Sequence, residues 1–200
     1  MAHTPVDERR RALLAAAMRV VASRGLAAAS TRAIVAEAGM SLASFHYAFE
    51  SRDDLLEVLI SEVIALEERA IAPKDVAGKT LTELLHDGLL GYLHHLQSDP
   101  AHEQAMLELT QYAIRDKSDL ARDQYTAYTG MVMNALDIGA QATGTHWLVP
   151  LSTVARLLIT LTDGLTMTWL VDRDDALAEQ VVAAAAHAVS ALAADNISAS

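Results

Sequence analysis

Cysteine is absent from this chain of 200 residues. Without a thiol the protein can form neither a disulfide nor a thiolate metal site, and such a composition fits a reducing compartment. The N-terminal residues also lack the apolar core of a secretory signal, because no apolar run precedes the arginines from Arg9 to Arg11. We therefore expect a cytoplasmic protein.

Long uncharged apolar runs and strand-like alternation are also missing. A membrane-spanning helix needs about 20 consecutive apolar residues. The nearest candidate, residues 151–171, contains Arg156 and Asp163, so it is predicted to be a buried helix and no membrane partner is expected. Elsewhere the apolar residues recur every three or four positions, which is the spacing of amphipathic helices. The pattern predicts an all-α fold with about nine helices.

The motifs of the common enzyme classes are absent too. The chain contains no HExxH, GxSxG or GxGxxG sequence. Gly78-Lys79-Thr80 matches the end of a phosphate-binding loop, but Pro73 stands where that loop requires its first glycine. The histidines have no spacing suited to a shared metal ion. We expect no enzyme activity, no cofactor and no metal site.

Residues 30–52 have the pattern of two short helices joined by a turn. Ser30 can cap the first helix and Ser41 the second, because a serine oxygen accepts from the free amides of a first helical turn. Gly39 stands at the turn between them, where a positive φ costs glycine little. The second helix is predicted over residues 42–47. The segment therefore predicts a helix-turn-helix.

The second of these helices has distinct inner and outer faces. Phe45 and Phe49 are four residues apart, so they share one face and are predicted to pack on the first helix. The remaining residues are then free to meet a partner outside the protein: Leu42, Ala43, Ser44, His46 and Tyr47.

In order and spacing these residues resemble the TetR family of bacterial transcription regulators. The positions that carry the resemblance are Gly25, Ser30, Ile34, Ala38-Gly39-Met40, Ser41, Phe45, Phe49, Ser51-Arg52 and Leu55-Leu56. It covers about the first 56 residues. The resemblance implies an N-terminal three-helix DNA-binding domain, residues 1–52, followed by a helical ligand-binding and dimerisation domain, residues 53–200.

Three positions depart from the family pattern. Val35 replaces a small alanine where the two helices cross, and Arg52 replaces a lysine with retention of charge. His46 stands where the family usually has a tyrosine, and the neighbouring Tyr47 is able to supply the phenol. Whether His46 contacts a base or a phosphate stays open.

Carried over residue by residue, the resemblance implies a set of DNA contacts. Within the helix-turn-helix, the start of the first helix would contact phosphate, and the exposed first turn of the second helix would contact bases. The residues that follow would bind the DNA backbone. The implied residues are Thr31, Arg32, Leu42, Ala43, Ser44, His46, Tyr47 and Arg52. Arg9 to Arg11 would add weaker phosphate contacts. Core packing is the alternative for Tyr47.

The charge of the chain is divided unevenly. The net charge is −11, yet residues 1–52 contain seven basic and four acidic residues, which leaves −14 on the remainder. A small basic head on an acidic body suits local binding to phosphate without non-specific wrapping of DNA. An ordinary solvated surface is the alternative explanation.

The last two predicted helices, residues 150–171 and 174–194, are apolar over more than one stripe. A helix with more than one apolar face is stable in water only if other helices pack against more than one of its sides. We predict that they form a four-helix homodimer interface with their symmetry mates, as the resemblance also implies; a monomer that buries them internally is the alternative. The small residues that would allow close approach are Gly164, Ala183, Ala184 and Ala188.

Aromatic and thioether side chains of the central helices are candidates for a ligand cavity, because cavities between helices are a usual place for small molecules. The candidates are Tyr92, Met106, Leu109, Gln111, Tyr112, Tyr128, Met131, Met167 and Trp169. Core packing explains the apolar ones equally well. The expected ligand is a small hydrophobic or amphipathic molecule.

The sequence thus predicts a repressor of the TetR type that binds a palindromic operator as a homodimer and is released by a small molecule. Two recognition helices held about 34–36 Å apart would read both halves of the palindrome. The alternative is a helical small-molecule-binding protein or enzyme whose helix-turn-helix no longer binds DNA.

Overall fold

A computed structural model describes residues 6–71 and 76–196, and of these the side chains of all but 62–71 and 118. Over the described residues the chain forms nine α-helices, one 3₁₀ turn and two short strands, in agreement with the predicted all-α class. The sequence also predicts a helix start at Thr4-Pro5 and a helix end before Pro73, and these positions lie outside the described residues.

The elements follow one another with short connections. The first four helices enclose the 3₁₀ turn at Leu26–Ala28: α1 is Val6–Arg24, α2 Thr31–Glu37, α3 Leu42–Ala48 and α4 Arg52–Ile71. The next three are α5 Leu81–Ser98, α6 Pro100–Asp116 and α7 Ser118–Thr143. Strand β1 (Thr145–Trp147), α8 (Leu151–Asp172), α9 (Asp175–Ser190) and strand β2 (Ala193–Asp195) complete the chain.

The sequence predicts a capping box of Thr80 and Glu83 and helix starts at Asp99 and Ser51, and the structure contains all three. Thr80 and Glu83 form a reciprocal capping box at α5, in which Thr80 N donates to Glu83 Oε2 at 2.8 Å and Glu83 N to Thr80 Oγ1 at 3.3 Å. The Asp99 carboxylate accepts from His102 N at 3.0 Å at the start of α6. Ser51 Oγ accepts from Asp54 N at 3.0 Å at the start of α4. These bonds satisfy amides that have no partner inside the helix.

The described residues fall into two compact units, each with its own core. The first unit combines residues 6–65 with 99–124, so that α6 packs with the N-terminal helices. Its core contains the fully buried Leu13, Ile34, Phe45, Leu55 and Leu109. These packing units differ in extent from the functional division predicted at residue 52, which stays a prediction.

The second unit combines residues 66–71, 76–98 and 125–196. In it α5 packs extensively on α9, and α8 contacts both. Leu93, Val154 and Val189 lie at the centre of its core and are fully buried. By length and composition α8 is able to span a membrane, but core helices of soluble proteins have the same length and composition, so these two properties alone do not indicate a membrane span. Seven of its residues are buried in the protein.

The C-terminal end of the chain differs from the prediction. The last helix ends at Ser190 rather than near residue 194, and residues 193–195 form a strand that pairs antiparallel with β1. Leu148 N donates to Leu192 O and Asn196 N to Gly144 O, each at 2.8 Å, which extends the pairing beyond the strands. Three-residue strands carry too little alternation to be recognised in a sequence. Between α8 and α9, Arg173 adopts the left-handed conformation. It caps the C-terminal end of α8, where its N–H donates to Trp169 O.

Candidate nucleic-acid interface

α2 and α3 form the predicted helix-turn-helix. Ser30 Oγ accepts from Ala33 N, and Ser41 Oγ accepts from Ser44 N, each at 3.2 Å, so both predicted caps are present. Between the helices Gly39 has φ +64°, a conformation that is strained for a residue with a Cβ. Met40 N then donates to Val35 O at 2.8 Å, which closes the turn.

The inner face of α3 is anchored by aromatic packing. Phe45 is 0% exposed and Phe49 2%, and their ring centroids lie 5.7 Å apart. Val35 is buried in the same core, so the larger side chain at this crossing is accommodated. Because the two rings fix the inner face of α3, the opposite face of the helix is turned away from the core.

The outer face of α3 carries the residues predicted to contact DNA. Leu42 is 45% exposed and Tyr47 63%, and Ala43 and His46 are exposed as well, whereas Ser44 is half-buried. Phe45 is the only buried residue within α3. The geometry therefore brings five predicted contact residues together on one short helix.

The start of α2 contributes a second group. Thr31 is half-buried and Arg32 is exposed, in the first turn after the Ser30 cap. Each of these side chains occupies the position that the resemblance implies for a phosphate contact. At the other end of α2, Glu37 forms an ion pair with Arg19 at 2.8 Å and lies 3.9 Å from Arg24. Two arginines of α1 therefore interact with one carboxylate of α2.

Two arginines of α1 support the C-terminal end of α3, which the sequence did not reveal. Arg10 Nη1 donates to Ala48 O at 3.1 Å, and its guanidinium lies 4.6 Å from the Phe49 ring centroid. Arg9 lies over the Tyr47 ring at 5.1 Å. A cation at a helix C-terminus stabilises the helix dipole. Arg10 thus has an internal contact at the position where only a weak phosphate contact was predicted.

Arg52 also makes internal contacts. Its Nε donates to Ala29 O at 2.6 Å and its Nη2 to Leu26 O at 2.8 Å. Arg52 is half-buried, and its Nη1 lies 3.7 Å from a carboxylate oxygen of Asp53. The predicted phosphate contact of Arg52 stays a prediction, but two of its nitrogens are bonded within the protein.

Comparison with known proteins identifies the family. The family model of bacterial regulatory proteins of the TetR type matches residues 13–59, which contain α2 and α3. The model of the C-terminal domain of BetI-type transcriptional repressors matches residues 81–194, more than half of the chain. The chain belongs to the TetR family. It is therefore a transcriptional regulator and not an enzyme.

Individual TetR proteins resemble it over nearly their whole length. The nicotine-responsive transcriptional repressor HdnoR of Paenarthrobacter nicotinovorans is 30% identical over 171 residues, covering 84% of this chain and 87% of that protein. A TetR regulator from Haloarcula marismortui shares the fold with a TM-score of 0.76 at 24% identity, covering 94% of this chain and 100% of that one. GusR of Salmonella enterica gives 0.74 at 20% identity, covering 92% and 94%.

The residues predicted to contact a ligand belong to both units of this TetR protein. Met106 and Leu109 are buried in the core of the first unit, and Tyr112 packs against it. Gln111 of the same helix is exposed, as is Met167 of α8. In the second unit Trp169 belongs to the core and Tyr92 packs against that core, whereas Tyr128 and Met131 are half-buried. The set as a whole stays a prediction.

Polar contacts inside the second unit involve two of these aromatic residues. The Tyr92 hydroxyl is hydrogen-bonded to the buried Thr166 hydroxyl. Trp169 Nε1 donates to Asp175 Oδ1 at 2.8 Å, and Gln97 Nε2 donates to the same oxygen at 2.8 Å. Buried polar groups need such partners, and these bonds give α5, α8 and α9 fixed relative positions.

A further hydrogen bond in the second unit predicts a dependence on pH. Tyr125 Oη donates to Asp163 Oδ2 at 3.0 Å. Burial, and then the nearby Asp163 carboxylate, raises the pKa of Tyr125 to about 12 from 10.0. Because the folded state holds this proton more tightly than the unfolded state, the raised pKa of Tyr125 corresponds to a contribution to stability that is present below about pH 10 and is lost as the pH rises through about 12.

An absorbance titration of the phenolates tests this expectation. Tyr125→Phe is expected to remove a step near pH 12 from the titration of the folded protein, with Tyr47→Phe as the matched control at an exposed ring. If Tyr125→Phe removes a step near pH 10 instead, the bond to Asp163 does not persist in solution.

Proposed function

We propose that this TetR protein is a repressor that binds a palindromic operator in the cytoplasm as a homodimer and is released by a small molecule. The observation that carries the proposal is the division of α3 into a buried aromatic face and an outward face, on which Leu42, Ala43, His46 and Tyr47 are exposed and Ser44 is half-buried. An exposed helix of this kind suits insertion into a major groove.

Each exposed residue has a role that its chemistry suits. Leu42 and Ala43 can pack on a thymine methyl group, and Ser44 can bond a base edge or a phosphate. His46 and Tyr47 reach phosphate or flanking bases, while Thr31 and Arg32 bind phosphate at the start of α2. Phosphate contacts position the protein, and contacts to base edges select the sequence.

Exposed apolar residues of α8 and α9 support the homodimer. On α8, Leu157, Met167 and Val171 are exposed, and Val171 reaches 83%. On α9, Leu177 and Val181 lie one turn apart and are also exposed. Single exposed apolar residues are ordinary, but a stripe along two neighbouring helices is typical of an interface. Gly164, Ala184 and Ala188 lie exposed on the same stripes, where close approach was predicted, and Ala183 is half-buried.

The ligand is proposed to be a small hydrophobic or amphipathic molecule bound by the second unit. The relative HdnoR is described as nicotine-responsive, which supports a response to a small organic molecule here as well. Five of the predicted ligand residues belong to the second unit. Met167 is exposed on the stripe proposed for the homodimer, so those available for this role are Tyr92, Tyr128, Met131 and Trp169.

Selection of bound fragments from genomic DNA, followed by footprinting, tests the proposed function. The expected footprint is a palindrome whose half-sites lie about one or two helical turns apart. The affinity should fall linearly on a plot of log K against log salt concentration, in addition to a sequence preference. Failure of the wild-type dimer to prefer any duplex would leave a small-molecule-binding protein without DNA recognition as the remaining function.

Tyr47→Ala is expected to weaken operator binding about tenfold, because it removes one side chain from the interface. The free energy of unfolding should hardly change, since the side chain is 63% exposed. Fluorescence anisotropy with a labelled operator duplex and denaturant unfolding measure the two quantities. Tyr47→Phe separates the hydroxyl from the ring that Arg9 covers. Unchanged affinity in Tyr47→Ala would remove this residue from the site.

A further inference from the structure

The 3₁₀ turn that precedes α2 is bonded by two charged side chains from distant parts of the sequence. Glu108, in the middle of α6, accepts a hydrogen bond from Leu26 N at 2.6 Å through Oε2. Arg52, the first residue of α4, donates to Leu26 O and to Ala29 O. All three bonds are partly buried and involve an ionised group, which makes them stronger than bonds between neutral groups.

The turn needs these side chains for its placement rather than for its formation. Ala28 N donates to Gly25 O and Ala29 N to Leu26 O, each at 3.1 Å, so the turn has main-chain bonds of its own. Gly25 has φ +78° and redirects the chain away from α1. Within the described part of the chain, no main-chain acceptor is recorded for Leu26 N, and the Glu108 carboxylate takes this donor.

The same turn leads directly into the DNA-facing end of α2. Ser30 N donates to Ala28 O at 2.8 Å, and Ser30 then caps α2. Thr31 and Arg32 follow at once. A shift of the turn therefore shifts the two residues that are proposed to bind phosphate, and a displacement of about 1 Å is enough to break a hydrogen bond.

The helix that carries Glu108 is itself attached to α4. Lys117 caps the C-terminal end of α6 and its Nζ lies 2.8 Å from Glu57 Oε1. α6 also packs on α1 and on the 3₁₀ turn. Glu108 is thus presented from a helix that is fixed to the rest of the first unit.

We propose that Glu108 and Arg52 are positioning residues for operator binding, which hold the 3₁₀ turn so that Thr31 and Arg32 meet the DNA backbone. This inference rests on the proposed function. For Arg52 this role differs from the direct phosphate contact that the family resemblance implies. Glu108 of α6 becomes an additional residue that determines the affinity for DNA.

Variants of Glu108 in the full-length protein test the first half of the proposal. Glu108→Ala is expected to weaken operator binding about tenfold and to reduce the salt slope by about one phosphate contact. Glu108→Gln should keep most of the affinity, because an amide oxygen can also accept from Leu26 N. Asp116→Ala is the matched control, because it removes an exposed acid of the same helix.

Amide hydrogen exchange at Leu26 separates positioning from stability. The amide is expected to be protected in the wild type and in Glu108→Gln and to exchange faster in Glu108→Ala, at temperatures well below unfolding. If Glu108→Ala does not fold, Glu108→Asp replaces it, since the shorter side chain keeps the charge but reaches less far. Wild-type affinity and salt slope in the Ala or Asp variant would overturn the proposal.

Arg52→Lys tests the second half. Lysine keeps the positive charge but replaces the planar guanidinium by one ammonium group, so it lacks the two separate nitrogens that hold Ala29 O and Leu26 O in a fixed geometry. A direct phosphate contact predicts nearly full affinity for Arg52→Lys, whereas positioning predicts a loss similar to that of Glu108→Ala and a non-additive double variant. Full affinity in Arg52→Lys, or additive losses, would overturn this half. Absence of DNA binding by the wild type would refute the proposed function itself and not this inference alone.

Discussion

Replacing Phe45 by alanine is expected to lower the free energy of unfolding by about 3–5 kcal/mol. The side chain is fully buried in the first core, where its ring packs on Phe49 and meets the edge of His46 at a centroid distance of 5.6 Å. Single domains are stable by only about 5–15 kcal/mol, so a loss of this size removes much of the stability. Denaturant unfolding followed by circular dichroism measures the change.

The same helix offers a matched control for this prediction. Leu42 is also an apolar residue of α3 but is 45% exposed, so Leu42→Ala should change the free energy of unfolding by less than about 1 kcal/mol. Leu42→Ala should instead weaken operator binding. Equal destabilisation by both variants would contradict the division of α3 into an inner and an outer face.

Introducing a charge at Val181 is expected to convert the proposed homodimer to a monomer. Val181 and Leu177 lie on one exposed apolar stripe of α9, and Val181→Asp would bury an unpaired carboxylate between two copies. Loss of the dimer also removes the second recognition helix, so operator affinity should fall by at least about 100-fold. Sedimentation velocity and anisotropy measurements on the same samples report the two effects.

A charge change elsewhere on α9 provides the control. Glu179 is exposed but lies away from the stripe, because its position on the helix is rotated by about half a turn from Leu177. Glu179→Lys is therefore expected to remain a dimer with wild-type affinity. A monomeric wild-type protein at micromolar concentration would refute the proposed interface, and a dimeric Val181→Asp would move the interface away from α9.

The features that the sequence predicted well depend on neighbouring residues. A serine cap, a capping box or a glycine at a turn uses atoms within about four residues, so Ser30, Ser41, Gly39 and the box at Thr80 can be recognised directly. The burial of Phe45 follows equally from helical spacing. Together with helical spacing, these local signals were enough to predict about nine helices, and the described residues form nine.

The features that the sequence did not reveal depend on residues that are far apart in the chain. Arg10 bonds a carbonyl 38 residues away, and Glu108 bonds an amide 82 residues away. No spacing rule links such positions, because their separation is decided by how the helices pack. For the same reason the ligand candidates were chosen by residue type, and the structure divides them between two cores.

The pair of helices formed by α8 and α9 is closed at both ends. Arg173 and Asp174 are the whole connection at one end, and the ladder between β1 and β2 joins the other. Neither helix can slide along the other without breaking that ladder. A second copy would therefore meet a surface whose register is fixed before association, so little conformational entropy remains to be lost when two chains come together.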